Sequence, residues 1–167
     1  MTVDIDEARA AVAKLGVKIC VLFPGALLAL AIILKKTFYS TDAGLMAGEV
    51  SSWLGYVFLA VGVADIAAAI LLKKRLVTPE AIAVKVTPVP KLFAKQLAAA
   101  YVPVLALCAA PALYGLIFYF LGGDQEAFVL IAVLCPAGYM VIKPREEEVE
   151  RIARKLFTVE PDGDLKL

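Results

Sequence analysis

Histidine is absent from the 167 residues, and the three cysteines, Cys20, Cys108 and Cys135, stand singly inside apolar runs without a CxxC pair. Zinc, haem and histidine-based catalysis need such ligands in close spacing, so no metal or cofactor is expected. The cysteines read as small buried hydrophobes. Net charge is nearly absent too: a formal +1 offers no basic field for nucleic acid. A Gly-rich phosphate loop, a nucleophile-elbow serine and a pair of carboxylates within one apolar run are all missing, and no enzyme activity is expected. The apolar runs carry almost no Ser, Thr, Asn or Gln, which argues against a polar-substrate transporter or a conducting pore.

What is present is hydrocarbon. The chain is 62% hydrophobic with mean hydropathy +0.84, too apolar for a soluble domain of this length. Its charges are segregated into short connections between long uncharged runs. This pattern predicts an all-α, polytopic integral membrane protein with four transmembrane helices and cytoplasmic amphipathic helices.

Residues 1–16 read as a cytoplasmic amphipathic segment. Asp4 and Glu7 form a capping-box pattern, with Ile5, Ala8, Val12 and Leu15 on one face. Either a helix lying on the membrane surface or an extension of the first span would satisfy it. The acidic start, and Lys35-Lys36 after the first apolar run, do not resemble a signal peptide.

Residues 17–72 form the first transmembrane hairpin, with a kink expected at Pro24 and a polar connection over 35–52. Residues 73–97 form a basic connection, in which Thr78-Pro79-Glu80 starts a brief helix, Thr87–Pro90 stops it and a new helix begins near Lys91. Residues 98–142 form the second hairpin, broken at Pro103 and Pro111, turning at Gly122-Gly123-Asp124 and carrying Pro136. Residues 143–167 form a cytoplasmic helical tail. There Val149, Ile152, Leu156 and Phe157 mark an apolar face set for lipid headgroups or a partner, and Glu147–Arg151 and Glu150–Arg154 are favourable i,i+4 pairs.

Fifteen of the seventeen basic residues fall on one side of these spans, leaving only Lys35 and Lys36 on the other. The positive-inside rule then predicts a multi-pass cell-membrane protein with both termini cytoplasmic. Phe38, Tyr39, Trp53, Tyr56, Phe118, Tyr119, Phe120 and Phe128 gather towards the opposite, outer interface. Each hairpin returns to a basic stop, KKR at 73–75 and KPR at 143–145, a weak sign of a parallel internal repeat.

One carboxylate interrupts the spans. Asp65 lies in the second apolar run beside Gly62, Ala64, Ala68 and Ala69, and an ionisable group at membrane depth is a functional-site hypothesis. Counting inward from the basic ends at ~1.5 Å per residue places it level with Pro24, Ala106 and Cys135-Pro136. Pro24 frees the carbonyl of Cys20 and Pro136 that of Ala132, so a neutral Asp65 could donate to either. No lysine or arginine lies within a span to pair with it. Three readings stand: a packing contact between helices, a contact completed by another subunit, or a proton- or cation-carrying group. Asp42, Glu49, Asp124 and Glu126 all lie in the outer loops, where a shared cation site and ordinary solvation are the two readings.

The third span reads LALCAAPALYGLIFYFLGG, and its ALYGLIFYFL phrase resembles the ion-carrying helix of rotary ATPase proteolipid (c) subunits. In that family the Tyr-Gly-Leu stretch, here Tyr114-Gly115-Leu116, follows an ion-binding carboxylate by five positions. The matching position in this chain is Ala109, so the resemblance implies a related helix without its acid. The candidate intramembrane site therefore comprises Asp65, Gly62, Pro24, Pro136 and Tyr114. The expected function is a non-enzymatic accessory, assembly or oligomer-forming subunit partnered by the bilayer and by copies of itself or other membrane subunits. The alternative is a proton- or cation-handling transport protein using Asp65.

Overall fold

The structure is a computed structural model that describes residues 4–38, 52–85 and 92–157. Residues 39–51 of the connection expected over 35–52, the Thr87–Pro90 stop and the tail beyond Phe157 lie outside the described residues, as do Asp42 and Glu49; residues 35–38 and 52 of that connection are helical. The described residues form helices α1 (Ile5–Val17), α2 (Phe23–Phe38), α3 (Ser52–Leu76), α4 (Pro79–Lys85), α5 (Phe93–Phe120), α6 (Gln125–Ile142) and α7 (Glu146–Phe157). A π turn over Lys18–Leu22 joins α1 to α2 without a break, and no strand occurs among the described residues. Four helical stretches, Ile5–Leu34, Trp53–Leu76, Phe93–Phe120 and Gln125–Ile142, are long and apolar enough to cross a membrane. The chain is an all-α integral membrane protein.

Of the two readings left open for the N-terminal segment, the structure takes the extension. Ile5–Leu34 is one helical rod of thirty residues, about 45 Å long against ~30 Å of hydrocarbon. Its first turns therefore stand clear of the apolar layer, where Asp4 caps the helix by accepting the Glu7 N–H at 2.8 Å. The defect expected at Pro24 is a π turn placed just before it. Pro24 has no N–H to give Cys20, and the Phe23 N–H reaches back five residues to the Lys18 carbonyl instead.

The third span is not broken. α5 runs through both Pro103 and Pro111, and α6 runs through Pro136. Proline is tolerated this way in membrane helices because neighbouring groups and local adjustment accommodate the freed carbonyls. α5 ends at a left-handed Gly122 (φ 104°), with the Gly123 N–H on the Phe118 carbonyl at 3.0 Å and the Gly122 N–H on the Tyr119 carbonyl at 3.2 Å. This pair of bonds is a Schellman cap. Asp124 then opens α6 by accepting the Ala127 N–H at 2.6 Å.

α5 is the helix around which the others assemble, packing against α1, α2, α3, α4 and α6. Half of its most apolar stretch is buried, compared with 17% in each of the first two spans. Glycines allow the closest approaches. Gly115 sits under the Phe128 ring of α6, and Gly138 of α6 faces Ile66 of α3 and Cys108 of α5.

At the basic end α1, α4, α7 and the start of α5 form a small cap. The apolar face of α7, expected to meet headgroups or a partner, is used inside the chain: Val149, Ile152 and Ala153 are buried in one cluster with Ala8, Val12, Phe93 and Leu97. Phe157 meets Phe93 edge-on at 5.7 Å. Thr78 caps α4 by accepting the Ala81 N–H at 3.2 Å. Ion pairs Arg9–Glu146 at 3.0 Å and Lys73–Glu148 at 2.7 Å tie α1 and α3 to α7. Of the two pairs expected within α7, Glu150–Arg154 forms.

Candidate functional site

The intramembrane carboxyl meets a tyrosine. α3 and α5 run antiparallel, and they approach closely where Gly62 lies against Pro111 of α5 and Leu134 of α6. A Cβ at position 62 would come within 2.9 Å of Leu134 and 3.2 Å of Pro111. A larger residue there needs the Leu134 side chain to turn away and Pro111 to give ground. One turn from Gly62 along α3 is Asp65, and one turn from Pro111 along α5 is Tyr114. Helical side chains lean towards the N-terminus of their own helix, so on antiparallel helices these two lean towards each other. The Tyr114 hydroxyl donates to Asp65 Oδ2 at 2.8 Å.

Aromatic contacts hold the tyrosine. The Phe58 ring of α3 stacks on Tyr114 with centroids 6.2 Å apart and planes 20° apart. Phe58 also meets Phe118 of α5 at 6.2 Å in an edge-on contact. The four side chains, two from each helix, form one seam, and both Asp65 and Tyr114 are only partly buried, at its edge.

Of the residues singled out from the sequence, Asp65, Gly62 and Tyr114 therefore come together, whereas Pro24 and Pro136 do not join them. Among the described residues no hydrogen bond links Asp65 to the Cys20 or Ala132 carbonyls that these prolines free. The depth count came close for the backbone: Gly62 against Pro111, and Gly138 facing both Ile66 and Cys108, set Asp65 level with about Cys108, two residues from Ala106. What the count left out is side-chain reach, since Tyr114 lies more than a turn further along α5 and leans back to Asp65. Phe58 was missed altogether. Its signal was its place seven residues before Asp65, two turns away on the same helix face.

The cysteines use carbonyls that the prolines do not free. The Cys20 thiol donates to the Leu105 carbonyl at 3.7 Å and the Cys135 thiol to the Ala109 carbonyl at 3.6 Å. All three thiols are buried and unbridged. Gly115, between Tyr114 and Leu116, is occupied in packing against Phe128. Ala109 is buried at the α5–α6 contact. Among the described residues no cluster of three His, Cys, Asp or Glu side chains could hold a metal ion.

A carboxyl bonded to a phenol, with no cation beside it, can lock two helices or exchange a proton with its partner. It lacks the several oxygen ligands that hold a bare cation. Fold and site define a four-span, all-helical membrane protein with a carboxyl–phenol hydrogen bond between two of its spans. Compared with protein-family models, characterised proteins and solved structures, the chain finds no match.

Proposed function

We propose that the chain is a non-enzymatic accessory, assembly or oligomer-forming subunit of the cell membrane, with both termini cytoplasmic. The observation that carries this reading is the outer face of α3. Ala60, Ala64, Ala67 and Ala68 are all exposed there, whereas Gly62 and Ala69 turn inward against the chain's own helices. Small side chains let another helix approach closely enough for dispersion and weak polar contacts to hold it, in a medium that supplies no hydrophobic drive. The orientation rests on the basic residues: α1, α4 and α7 lie together at the end that bears Lys73, Lys74, Arg75 and Arg145. Positive residues collect on the cytoplasmic side.

The transport reading has less support. Asp65 already has a partner within the chain, and the spans offer few polar side chains to continue a path from it. The test is extraction in a mild detergent followed by mass determination by light scattering. A defined oligomer or a stoichiometric co-purifying subunit is expected; a monodisperse monomer alone contradicts the reading.

A further inference from the structure

At the basic end a hollow of about 640 Å³ opens between the end of α3, the α3–α4 turn, the end of α6 and α7. Lys73, Lys74, Arg145 and Arg151 line it, together with Glu147 and Glu148. Lys73 is already engaged: it is bonded to Glu148, both side chains are largely buried at 16% and 21% exposure, and its ammonium lies 5.6 Å above the Tyr101 ring. That pair forms a wall. Lys74, Arg145 and Arg151 carry no ion pair among the described residues, so three cations face the single remaining carboxylate of Glu147.

The depth of the hollow identifies what it meets. The uncharged run of α3 ends at Leu72 and that of α6 at Ile142, so the cations stand at the hydrocarbon boundary. The floor is apolar, formed by Ile70, Val141 and Ile142. Val141, 63% exposed, and half-buried Ile70 continue that floor as a lane of apolar surface beside the α3–α6 contact. Arginine and lysine at a headgroup plane, above an apolar lane between helices, match a lipid that carries negative charge at its head and acyl chains below.

The geometry points to a site for one anionic phospholipid. Its phosphate lies among Lys74, Arg145 and Arg151, and its chains run down the lane past Val141 and Ile70. Free phosphate would share the polar contacts but not the lane. The site is separate from the Asp65 seam and stands whether or not α3 binds a partner.

The experiment uses the full chain in a mild detergent. Dioleoyl phosphatidylglycerol, dioleoyl phosphatidylcholine and inorganic phosphate are titrated separately, and retained ligand is measured by native mass spectrometry. A single phosphatidylglycerol should be held about tenfold more tightly than phosphatidylcholine. The double variant Arg145→Gln/Arg151→Gln should lose about tenfold, whereas Lys155→Gln, a charge outside the hollow, should lose nothing. If the double variant does not fold, Lys74→Gln alone should weaken phosphatidylglycerol binding about threefold or more. Equal retention of the two lipids, or an equal loss with Lys155→Gln, overturns the site. Inorganic phosphate held as tightly as the anionic lipid overturns the assignment to a lipid.

Discussion

The two hairpins look alike as strings of apolar residues, each ending in a basic stop, yet they occupy different positions. α5 and α6 have 50% and 39% of their most apolar stretches buried, whereas the first rod and α3 each have 17%. The second hairpin builds the core, with Tyr101, Leu105, Cys108, Phe128 and Ile131 at 0–1% exposure. The first lies against that core and leaves most of its surface to the bilayer or to another chain. Hydropathy cannot separate these roles, because lipid tails are as apolar as leucine and both hairpins satisfy them equally. What separates them is the placement of small residues: Gly115 and Gly138 face inward and draw helices onto the second hairpin, whereas four alanines of α3 face outward.

The largest contrast is expected from truncation. Phe128→Ala removes a ring with 0% exposure and should cost ~3–5 kcal/mol. Leu30→Ala, at a side chain 49% exposed on the first hairpin, should cost less than about 0.5 kcal/mol. Unfolding midpoints in detergent would compare them, and equal losses would erase the distinction between the hairpins. Next comes the seam. Gly62→Leu drives a side chain into Pro111 and Leu134 and should destabilise by ~1–3 kcal/mol. Ala64→Leu, on the opposite face of α3, should break the association seen by light scattering and lower the midpoint only as far as that association contributes.

A smaller effect concerns the polar contact. In a double-mutant cycle, Asp65→Asn and Tyr114→Phe should couple by ~0.6–1 kcal/mol. Additive losses would show that the hydrogen bond does not hold the helices. The same Asp65→Asn variant in liposomes should show no proton or cation flux different from the parent, while a lost flux would favour the transport reading. Smallest of all, Arg9→Gln at an ion pair whose side chains are 47% and 67% exposed should shift stability by less than about 0.5 kcal/mol, measurable only as a slight fall in midpoint.

Much of the fold was legible because bilayers impose a simple rule. Every backbone polar group in hydrocarbon must be paired within its helix, so apolar runs of sufficient length become spans. Caps at Asp4 and Thr78 were equally local: each is a short side chain bonding an N–H three residues ahead, and Asp124, read only as part of a turn, caps α6 in the same way. Side-chain reach between helices was less legible. Asp65 finds Tyr114 because the phenol leans back along α5 from more than a turn away, and a depth count by backbone position does not include that reach. The faces of α1 and α7 were readable as apolar, but their mutual docking depends on both rods reaching the same end of the bundle. The prolines misled for a related reason: a carbonyl they free need not attract the nearest acid.

The central claim, that α3 presents an association face while α6 meets lipid, has a direct test. A photoreactive benzoylphenylalanine is placed at position 64 of α3 or at position 133 of α6, where Val133 is 54% exposed, and irradiated in native membranes. The expected result is a discrete protein adduct, with a second copy or another subunit, at position 64, and lipid adducts alone at position 133. No protein adduct at position 64, or the same adducts at both positions, would contradict it.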